Sequence, residues 1–336
     1  MIFFLKTFRI ICFSLVLLAA TGWSACALWF HLDGPLRVAA LCLLGGAACG
    51  LWGLRLWRKR WAYAGFLAAA CIMAGWYSTI LPRQDRDWAP EVSRGVIARR
   101  DGDLVQLANI RDFDWKTRDT ATPRWITQEY DLTQLERVDM LTSVWDNPDI
   151  AHLIVSFGFA DGREVAFSVE IRREAGESFN ELGGFFRQFE MVLIAATEED
   201  IVKLRTNYRQ ETVSLYPVNL TAAQRRTLFL SYIDLAQQLE EKPAFYNTIT
   251  ANCTTTVYRL AKTLDADLPL GSDLIFSGRL PEYLDRLGVL DPAPSMQARR
   301  ASAEISARAR ALPEGGDYSA WVRRPQPEPE PQLAAQ

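Results

Sequence analysis

The stretch that decides the fold is AHLIVSFGFADGREVAFSVEIRR, residues Ala151–Arg173. Apolar side chains recur at every second position on both sides of a central Ala-Asp-Gly, which predicts two half-buried strands. The two apolar sets point to the same side of a sheet only if a three-residue loop, Ala160–Gly162, joins the strands. That loop places Gly162 at the left-handed position of a turn with a bulge, where glycine is favoured. The sequence therefore predicts an antiparallel hairpin of defined register.

The predicted register places His152, at the start of the first strand, directly opposite Glu170 on the second. Both side chains lie on the face away from the apolar set, with Ser156 and Ser168 nearby. A carboxylate beside an imidazole orients its tautomer and stabilises its charged form. The pair is a candidate base with its orienting acid, and a surface His–Glu pair of little consequence is the alternative.

A second stretch, YNTITANCTTT at Tyr246–Thr256, leads into a predicted helix. Asn252 or Thr250 can cap that helix. The thiol of Cys253 then lies in the first turn, where the helix dipole lowers its pKa, and free N–H groups there, near Thr254, can receive an oxyanion. Cys253 is therefore a candidate nucleophile. A small buried cysteine packed under the capping turn is the alternative.

The N-terminal part of the chain consists of apolar runs. Each is close to the ~20 residues that a helix needs to cross a bilayer; the three runs are Ile10–Phe30, Leu36–Trp57 and Trp61–Leu81. Lys6 and Arg9 precede the first run, and Arg55–Arg60 supplies the cations of the second connection. The positive-inside rule places both in the cytoplasm, so three crossings deliver the rest of the chain to the outer side. A cleaved signal peptide ending near Ala25 and Ala27 is the alternative for the first run.

Charge and cysteine content narrow the function. The net charge of -3 and the absence of a basic stripe argue against nucleic acid. Of the six cysteines, only Cys253 lies beyond the apolar runs. A lone cysteine in an exported domain has no partner for an internal disulfide, so it is either buried and inert or retained for chemistry.

The domain organisation follows from these features. We expect a membrane anchor with three transmembrane helices over 1–82, a juxtamembrane linker over 83–94, an α+β domain over 95–290, and a helical, then disordered Pro/Glu-rich tail over 291–336. The predicted strands are Gly95–Arg99, Leu104–Ile110, Ile126–Leu132, Ala151–Phe159, Glu164–Arg173 and Phe189–Ala196. The predicted helices are Glu198–Tyr208, a segment from a Thr221/Gln224 capping box to Pro243, Cys253–Leu264 and Ser295–Ala311.

A set of short segments, taken together and in order, resembles the Lnb N-terminal periplasmic domain family. The segments are Asn109–Phe113, Tyr130–Leu132, Ala151–His152 with Ser156–Phe159, Ser168–Arg172, and Tyr246–Thr248 through Asn252–Thr255, so that the resemblance covers about Asn109 to Leu264. It implies a circularly permuted papain-like (NlpC/P60-type) antiparallel sheet with packed helices. It also implies that Cys253 is the nucleophile, His152 the base and Glu170 the orienting residue. The namesake members are bacterial lipoprotein N-acyltransferases, whereas here all predicted spans precede the domain.

The resulting expectation is a bacterial inner-membrane protein with a periplasmic cysteine acyltransferase or hydrolase domain. Cys253 would attack an ester or amide carbonyl and pass the acyl group to an amine, a hydroxyl or water. A membrane phospholipid or lipoprotein is the expected substrate, with no cofactor and no metal, and the mouth of the site is expected to be apolar, from Phe185–Phe186 and Phe245–Tyr246. A cell-wall peptidase or amidase of NlpC/P60 type and a non-catalytic envelope interaction module are the alternatives.

Overall fold

The computed structural model describes residues 2–325, so the predicted Pro/Glu-rich tail lies outside the described residues from 326 on. The chain divides into two compact units. The helical unit comprises Met1–Arg83 and a short insert, Phe179–Phe189. The sheet unit comprises Gln84–Ser178 and the described residues from Glu190 on.

The helical unit contains three helices: α1 (Ile2–His31), α2 (Gly34–Trp57) and α3 (Lys59–Ser78). Two stretches in the described residues, Thr7–His31 and Gly34–Trp57, are long and apolar enough to cross a membrane. The third predicted apolar run also forms a helix, α3. Its Trp, Tyr and Gly residues make its mean hydropathy lower than that of the other two helices, so it is not among the stretches that qualify. Two apolar N-terminal helices are thus established, and the third crossing stays a prediction.

The insert Phe179–Phe189 packs on the ends of α1 and α3. His31 donates from Nε2 to the carbonyl of Phe186 at 2.6 Å, and the Phe186 ring stacks on Phe30 with centroids 5.6 Å apart. Arg187 donates to the carbonyl oxygens of Tyr77 and Ile80. Phe186 was predicted at the mouth of the site, and in the structure it contacts α1.

The sheet unit is built from ten strands and seven helices in its described part. The strands are β1 (Ile97–Asp101), β2 (Leu104–Arg111), β3 (Asp114–Trp115), β4 (Ala121–Thr122), β5 (Trp125–Asp131), β6 (Leu135–Val144), β7 (His152–Phe159), β8 (Glu164–Arg172), β9 (Glu190–Ala196) and β10 (Thr212–Pro217). The helices are α4 (Glu198–Lys203), α5 (Ala222–Glu241), α6 (Cys253–Ala261), α7 (Leu280–Arg286), α8 (Met296–Ala303), α9 (Ser306–Arg310) and α10 (Tyr318–Val322). A π-helical turn, Leu204–Tyr208, continues α4.

Eight strands form one mixed sheet in the described residues, in the order β1-β2-β9-β8-β7-β6-β10, with β5 paired to β2. Neighbours are antiparallel except β2 and β9, which meet in parallel at Arg111 and Ala196. The small β3–β4 ribbon stands apart. The α+β class is confirmed. Four strands were not predicted: β6 and β10 in this sheet, and the short β3 and β4. β6 carries polar Asp139, Thr142 and Ser143 at buried positions, so its strand character is hidden in the sequence.

The hairpin of β7 and β8 has the predicted register. Ile154 pairs with Ser168 and Gly158 with Glu164, which carries His152 opposite Glu170 along the same ladder. Gly162 has φ +85°, and its N–H donates to the carbonyl of Phe159 at 3.0 Å. A left-handed residue at this point of the loop is what the three-residue connection requires.

Both faces of the sheet are covered by helices. The predicted apolar face, with Phe157 and Phe167, packs against α5, α6 and α7 around Phe229 and Tyr232. The opposite face packs against α4, α9 and α10. From the alternation of apolar and polar residues alone, this second face was expected to contact solvent. In the structure, residues of the C-terminal segment cover it. The side chains of His152 and Glu170 therefore lie within the protein.

The flanking segments differ in detail from expectation. The α5 capping box forms between Thr221 and Gln224 as predicted, whereas α6 ends at Ala261 and not at Leu264. The single helix predicted over Ser295–Ala311 is two helices, because Glu304 between α8 and α9 bridges to Ser214 of β10. The juxtamembrane segment is also ordered: Trp88, Ala89 and Val92 are buried, and the N–H of Ala89 donates to Arg173 at 3.0 Å.

Candidate active site

His152 begins β7 between two neighbouring strands and is held from the β8 side. Its Nε2 lies 2.6 Å from Oγ of Ser168 and 3.0 Å from Oε1 of Glu170. The Ser168 hydroxyl in turn donates to Oε1 of Glu170 at 2.7 Å. The His152 and Glu170 side chains are 12% and 19% exposed, so this is not the solvated surface pair of the alternative interpretation.

A buried arginine secures the carboxylate from its other side. Arg205 donates from Nη2 to Oε1 of Glu170 at 3.2 Å and from Nη1 to Oε2 of Glu211 at 3.3 Å. The hydroxyl of Ser143, the cross-strand neighbour of His152, donates to Glu211. Burial raises the pKa of Glu170, but His152 and Arg205 outweigh it and hold that pKa well below its usual range. Glu170 is consequently an anion whenever His152 is charged.

The thiol is positioned by a tight loop ahead of α6. The amide side chain of Asn247 accepts from the N–H groups of Ile249 and Thr250, and Asn247 and Ala251 exchange backbone hydrogen bonds. Asn252 then caps the helix, since its side chain accepts from the N–H of Thr255 at 2.8 Å.

The two residues predicted as alternative caps therefore have different roles. Asn252 is the cap, and Thr250 closes the preceding turn through Asn247. The cap places Cys253, the first residue of α6, 8% exposed at the end of the sheet where β7 begins.

The imidazole of His152 and the thiol of Cys253 interact directly, and each shifts the pKa of the other. Burial raises the thiol pKa, but the His152 imidazole, a backbone hydrogen bond from Leu153 and the hydroxyl of Thr254, 3.9 Å from Sγ, lower it below its ordinary value. For the imidazole, burial lowers the pKa, but Glu170 and Cys253 raise it to about 9. Both shifts act towards a thiolate–imidazolium pair.

The Nε2 atom of His152 faces Ser168 and Glu170. A carboxylate in this position orients and stabilises the imidazole, as the acid beside a histidine base does. The structure brings together all three residues that the sequence selected.

Tyr246 is a further neighbour of the thiol. Burial raises the pKa of its phenol, and so do the nearby Cys253 and Glu170, while a hydrogen bond from the Cys253 backbone opposes them. The Cys253 N–H, one of the expected oxyanion donors, is therefore directed at the Tyr246 oxygen in this structure. Tyr246 was expected at the mouth of the site, and it lies beside the thiol.

Arg205 and Glu211 were missed by the sequence analysis. One signal was available: Arg205 follows buried Ile201 by four residues, so it falls on the buried stripe of its helix, where an arginine needs an anionic partner. The partner of Arg205 is Glu170, which lies on β8, 35 residues earlier in the chain. The spacing of residues in the sequence therefore does not identify it. In residues 2–325, no group of three or more His, Cys, Asp or Glu side chains is arranged to hold a metal ion.

The fold and the site define a class: a membrane-anchored protein with an α+β domain in which a buried Cys, His and Glu meet at a helix N-terminus. Residues 121–283 match the family model described as the Lnb N-terminal periplasmic domain, the family that the sequence resembles. The match contains His152, Glu170 and Cys253, begins after the Asn109–Phe113 segment of the predicted resemblance and extends past Leu264. The chain is thus a membrane-anchored protein with a periplasmic domain. No curated protein and no solved structure matches it.

Proposed function

We propose that the protein is a periplasmic cysteine acyltransferase or hydrolase that carries an acyl group on Cys253 as a thioester. The observation that supports the proposal most strongly is the hydrogen-bonded His152, whose Nε2 lies 3.0 Å from Glu170, next to the thiol of Cys253 at the start of α6. A thiolate next to an imidazolium is both an activated nucleophile and a ready general acid.

The reaction follows from this arrangement. The Cys253 thiolate attacks the carbonyl carbon of an ester, and the carbonyl electrons move to oxygen. When the tetrahedral intermediate collapses, the ester C–O bond breaks and the leaving alkoxide takes the proton from His152. An amine, hydroxyl or water then attacks the thioester while His152 removes its proton, and the thiolate is released with the acyl group transferred. Glu170 stabilises the imidazolium throughout.

The backbone at the start of α6 is the candidate oxyanion site. The N–H of Cys253 points to the Tyr246 phenol, and a substrate oxygen that displaces this contact would accept the same hydrogen bond. The N–H of Thr254 is a second donor in the same first turn. Asn252 does not serve in this way, because its side-chain amide donates to the carbonyl of Thr248 at 2.7 Å.

The topology of the anchor is part of the proposal. A periplasmic domain together with an N-terminus on the cytoplasmic side requires an odd number of crossings. α3, with 20 residues and the interface residues Trp61 and Trp76 near its ends, supplies the third crossing of a bacterial inner membrane. A reporter active only in the periplasm should work when fused after Gln84 and fail when fused after Lys59.

A permuted papain-like arrangement is likewise supported by chain order. In papain-like enzymes the cysteine precedes the histidine. Here His152 precedes Cys253, yet the thiol still begins a helix that packs on the antiparallel part of the mixed sheet, which carries the histidine. A change in the order of these elements, with their contacts retained, accounts for the difference.

The test of the proposal is a trapped acyl group. Full-length protein is incubated with phospholipid vesicles, and the peptide containing Cys253 is examined by mass spectrometry. We expect a fatty-acyl mass on that cysteine that hydroxylamine removes, and none in Cys253→Ala. Strains carrying the two forms are then compared for lipoprotein acylation and for muropeptides. Altered muropeptides with unchanged lipid acylation would favour the peptidase, and no difference in either would favour the interaction module.

A further inference from the structure

The predicted apolar face of the sheet contains a cavity that the acyl-transfer chemistry leaves unassigned. Its volume is about 320 Å³, and it lies between β6 and β7 on one side and α5, α6 and α7 on the other. Aliphatic side chains supply most of its wall; they include Val138, Val155, Leu228, Val257, Ala261 and Leu284. Polar side chains in the wall are few, among them Gln224 and Asp265.

The cavity adjoins the thiol. Leu153 and Thr254 both line it, and both contact Cys253: Leu153 through its backbone hydrogen bond to the thiol, and Thr254 through its hydroxyl 3.9 Å from Sγ. Both residues are almost fully buried, at 3% and 2% exposure. Thr254 and the start of β7 are therefore the part of the cavity wall that borders Cys253.

The wall of the cavity identifies the class of ligand. Val257, Leu264, Leu268 and Leu284 are only partly buried in the structure, so the cavity reaches the surface of the unit. Apolar walls in contact with water are unfavourable, and they offer almost no hydrogen bonds to a peptide or a sugar. A hydrocarbon chain gains roughly 0.8 kcal/mol for each methylene that it buries in such a wall.

We propose that this cavity binds the hydrocarbon chain of the acyl group that Cys253 carries. The proposal rests on the proposed function, and it adds the place where the aliphatic chain of that acyl group binds. If a methylene occupies about the volume of a water molecule, roughly 30 Å³, the cavity holds on the order of ten carbons. The remainder of a longer chain would extend beyond α6 and α7.

The test uses alkyl methanethiosulfonates of increasing length, which label a thiol without any catalytic step. The thiolate attacks the sulfenyl sulfur, the S–S bond of the reagent breaks, methanesulfinate leaves and a mixed disulfide forms. Labelling is followed on the peptide that contains Cys253, because the five other cysteines lie in the helical unit. In the wild type we expect decyl reagent to label Cys253 at least about ten-fold faster than methyl reagent.

Two variants fill the cavity from α6: Ala261→Phe and Val257→Phe. Each should lower the decyl rate about ten-fold and leave the methyl rate within about two-fold, which also shows that the site is folded. Ala266→Phe is the matched control, because Ala266 is exposed and does not line the cavity. Comparing variants at one chain length removes any effect of reagent partition into detergent or lipid.

The outcomes separate this proposal from the proposed function. Equal labelling by methyl and decyl reagents in the wild type, or an unchanged decyl rate in both filled variants, would overturn the cavity assignment even if phospholipid acylates Cys253. A chain-length preference that the filled variants abolish would support the assignment even if no acyl group is transferred from lipid.

Discussion

Two buried clusters of acids and arginine lie on the second face of the sheet, and only one of them contains reactive groups. The first, the thiol cluster, consists of His152, Ser168, Glu170, Arg205 and Glu211 next to Cys253. The second, the arginine clamp, consists of Asp139, Ser156, Glu198 and Arg323. Each has a buried arginine between two carboxylates and a serine that donates to one of them. By burial and charge the two clusters are closely similar.

They differ in whether the cluster contains a histidine next to a thiol. In the arginine clamp, burial raises the pKa of Glu198, but Arg323 holds it below its usual range. The clamp attaches the segment after α10 to β6 and α4, which is a structural role. In the thiol cluster, the pKa of His152 is raised to about 9, and His152 lies next to the Cys253 thiol. A buried ion pair alone thus says little about function, whereas one that supports a titrating histidine next to a thiol indicates chemistry.

Replacing His152 by Ala should have the largest effect on the thiol. The variant loses the cation that lowers the thiol pKa, while burial continues to raise it. An unperturbed thiol is only a few per cent ionised at neutral pH, so alkylation of Cys253 by iodoacetamide should fall at least about 30-fold. Acyl transfer, which also needs the imidazolium as acid, should fall by about 10²–10⁴.

The control for that variant comes from the arginine clamp. Ser156→Ala removes a buried hydroxyl that donates to Glu198 but does not touch the thiol cluster. Its alkylation rate should match the wild type. A His152→Ala protein that alkylates within two-fold of the wild type would show that the thiol is not activated by this histidine.

The pH dependence should show both members of the thiolate–imidazolium pair. The lowered pKa of Cys253 keeps alkylation fast below the pH at which an ordinary thiol is protonated, and the rate declines only as pH falls through that lowered value. Above pH of about 9 His152 loses its proton, so alkylation persists while acyl transfer declines. The pair titrates as a unit, and the two limbs belong to the pair rather than to single residues.

The free energy of unfolding should depend on pH through the same groups. His152 contributes stability at low pH, whereas Cys253 and Glu170 contribute it at high pH. The raised pKa of His152 contributes stability that is full below about pH 6.5 and is lost as pH rises to about 9. The lowered pKa values of Cys253 and Glu170 stabilise the fold at higher pH, and that contribution is lost as pH falls through those values. Urea unfolding from pH 5 to 10 measures the sum of these contributions, and the loss that belongs to His152 between about pH 6.5 and 9 should be absent in His152→Ala.

Two arginine variants, one in each cluster, separate an effect on stability from an effect on the reactivity of the thiol. Arg205→Met and Arg323→Met each remove one cation from two buried carboxylates. Because His152 still faces Glu170 and Arg137 still pairs with Asp139, each variant should lower the free energy of unfolding by at most about 3–5 kcal/mol. Only Arg205→Met should change the thiol, because Arg205 is the group that fixes Glu170 beside His152. We expect about a ten-fold slower alkylation and a shifted pH profile for Arg205→Met. Equal losses of reactivity in both variants would mean that destabilisation alone explains the effect.

The parts of the molecule that the sequence predicted well are local. The hairpin register depends on the alternation of side chains and on the left-handed glycine at 162, all within Ala151–Arg173. The two helix caps, at Thr221 and Asn252, depend on side chains three residues from their targets. Because His152 and Glu170 are cross-strand neighbours, half of the candidate site was already fixed by the hairpin.

The parts that could not be predicted depend on contacts between distant segments. Arg205 reaches Glu170 only after β8 and the π-helical turn are packed together, and β6 looks polar because Asp139 is buried against Arg323, 184 residues further along. The single helix predicted over Ser295–Ala311 breaks because β10 offers Glu304 and Ile305 backbone partners. In each case tertiary contacts decide between local preferences that are individually acceptable.

The smallest expected effects compare two helix caps of the same construction. Asn252→Ala and Thr221→Ala each remove a capping box, and each should lower the free energy of unfolding by about 1 kcal/mol. Thr221 begins α5, far along the chain from the thiol, so its variant should alkylate Cys253 at the wild-type rate. Asn252 adjoins Cys253 and also donates to Thr248, so its loss loosens the loop that positions the thiol.

We therefore expect a few-fold slower alkylation of Cys253 in Asn252→Ala. The shape of the pH–rate profile should not change, because His152 and Glu170 stay in place. Asn252→Asp separates capping from positioning: a carboxylate still accepts from Thr255 but can no longer donate to Thr248. Recovered stability with slow alkylation would assign the Thr248 hydrogen bond to positioning the thiol. The added negative charge also opposes formation of the thiolate and acts in the same direction. Thr248→Gly, which keeps the carbonyl, should therefore alkylate faster than Asn252→Asp.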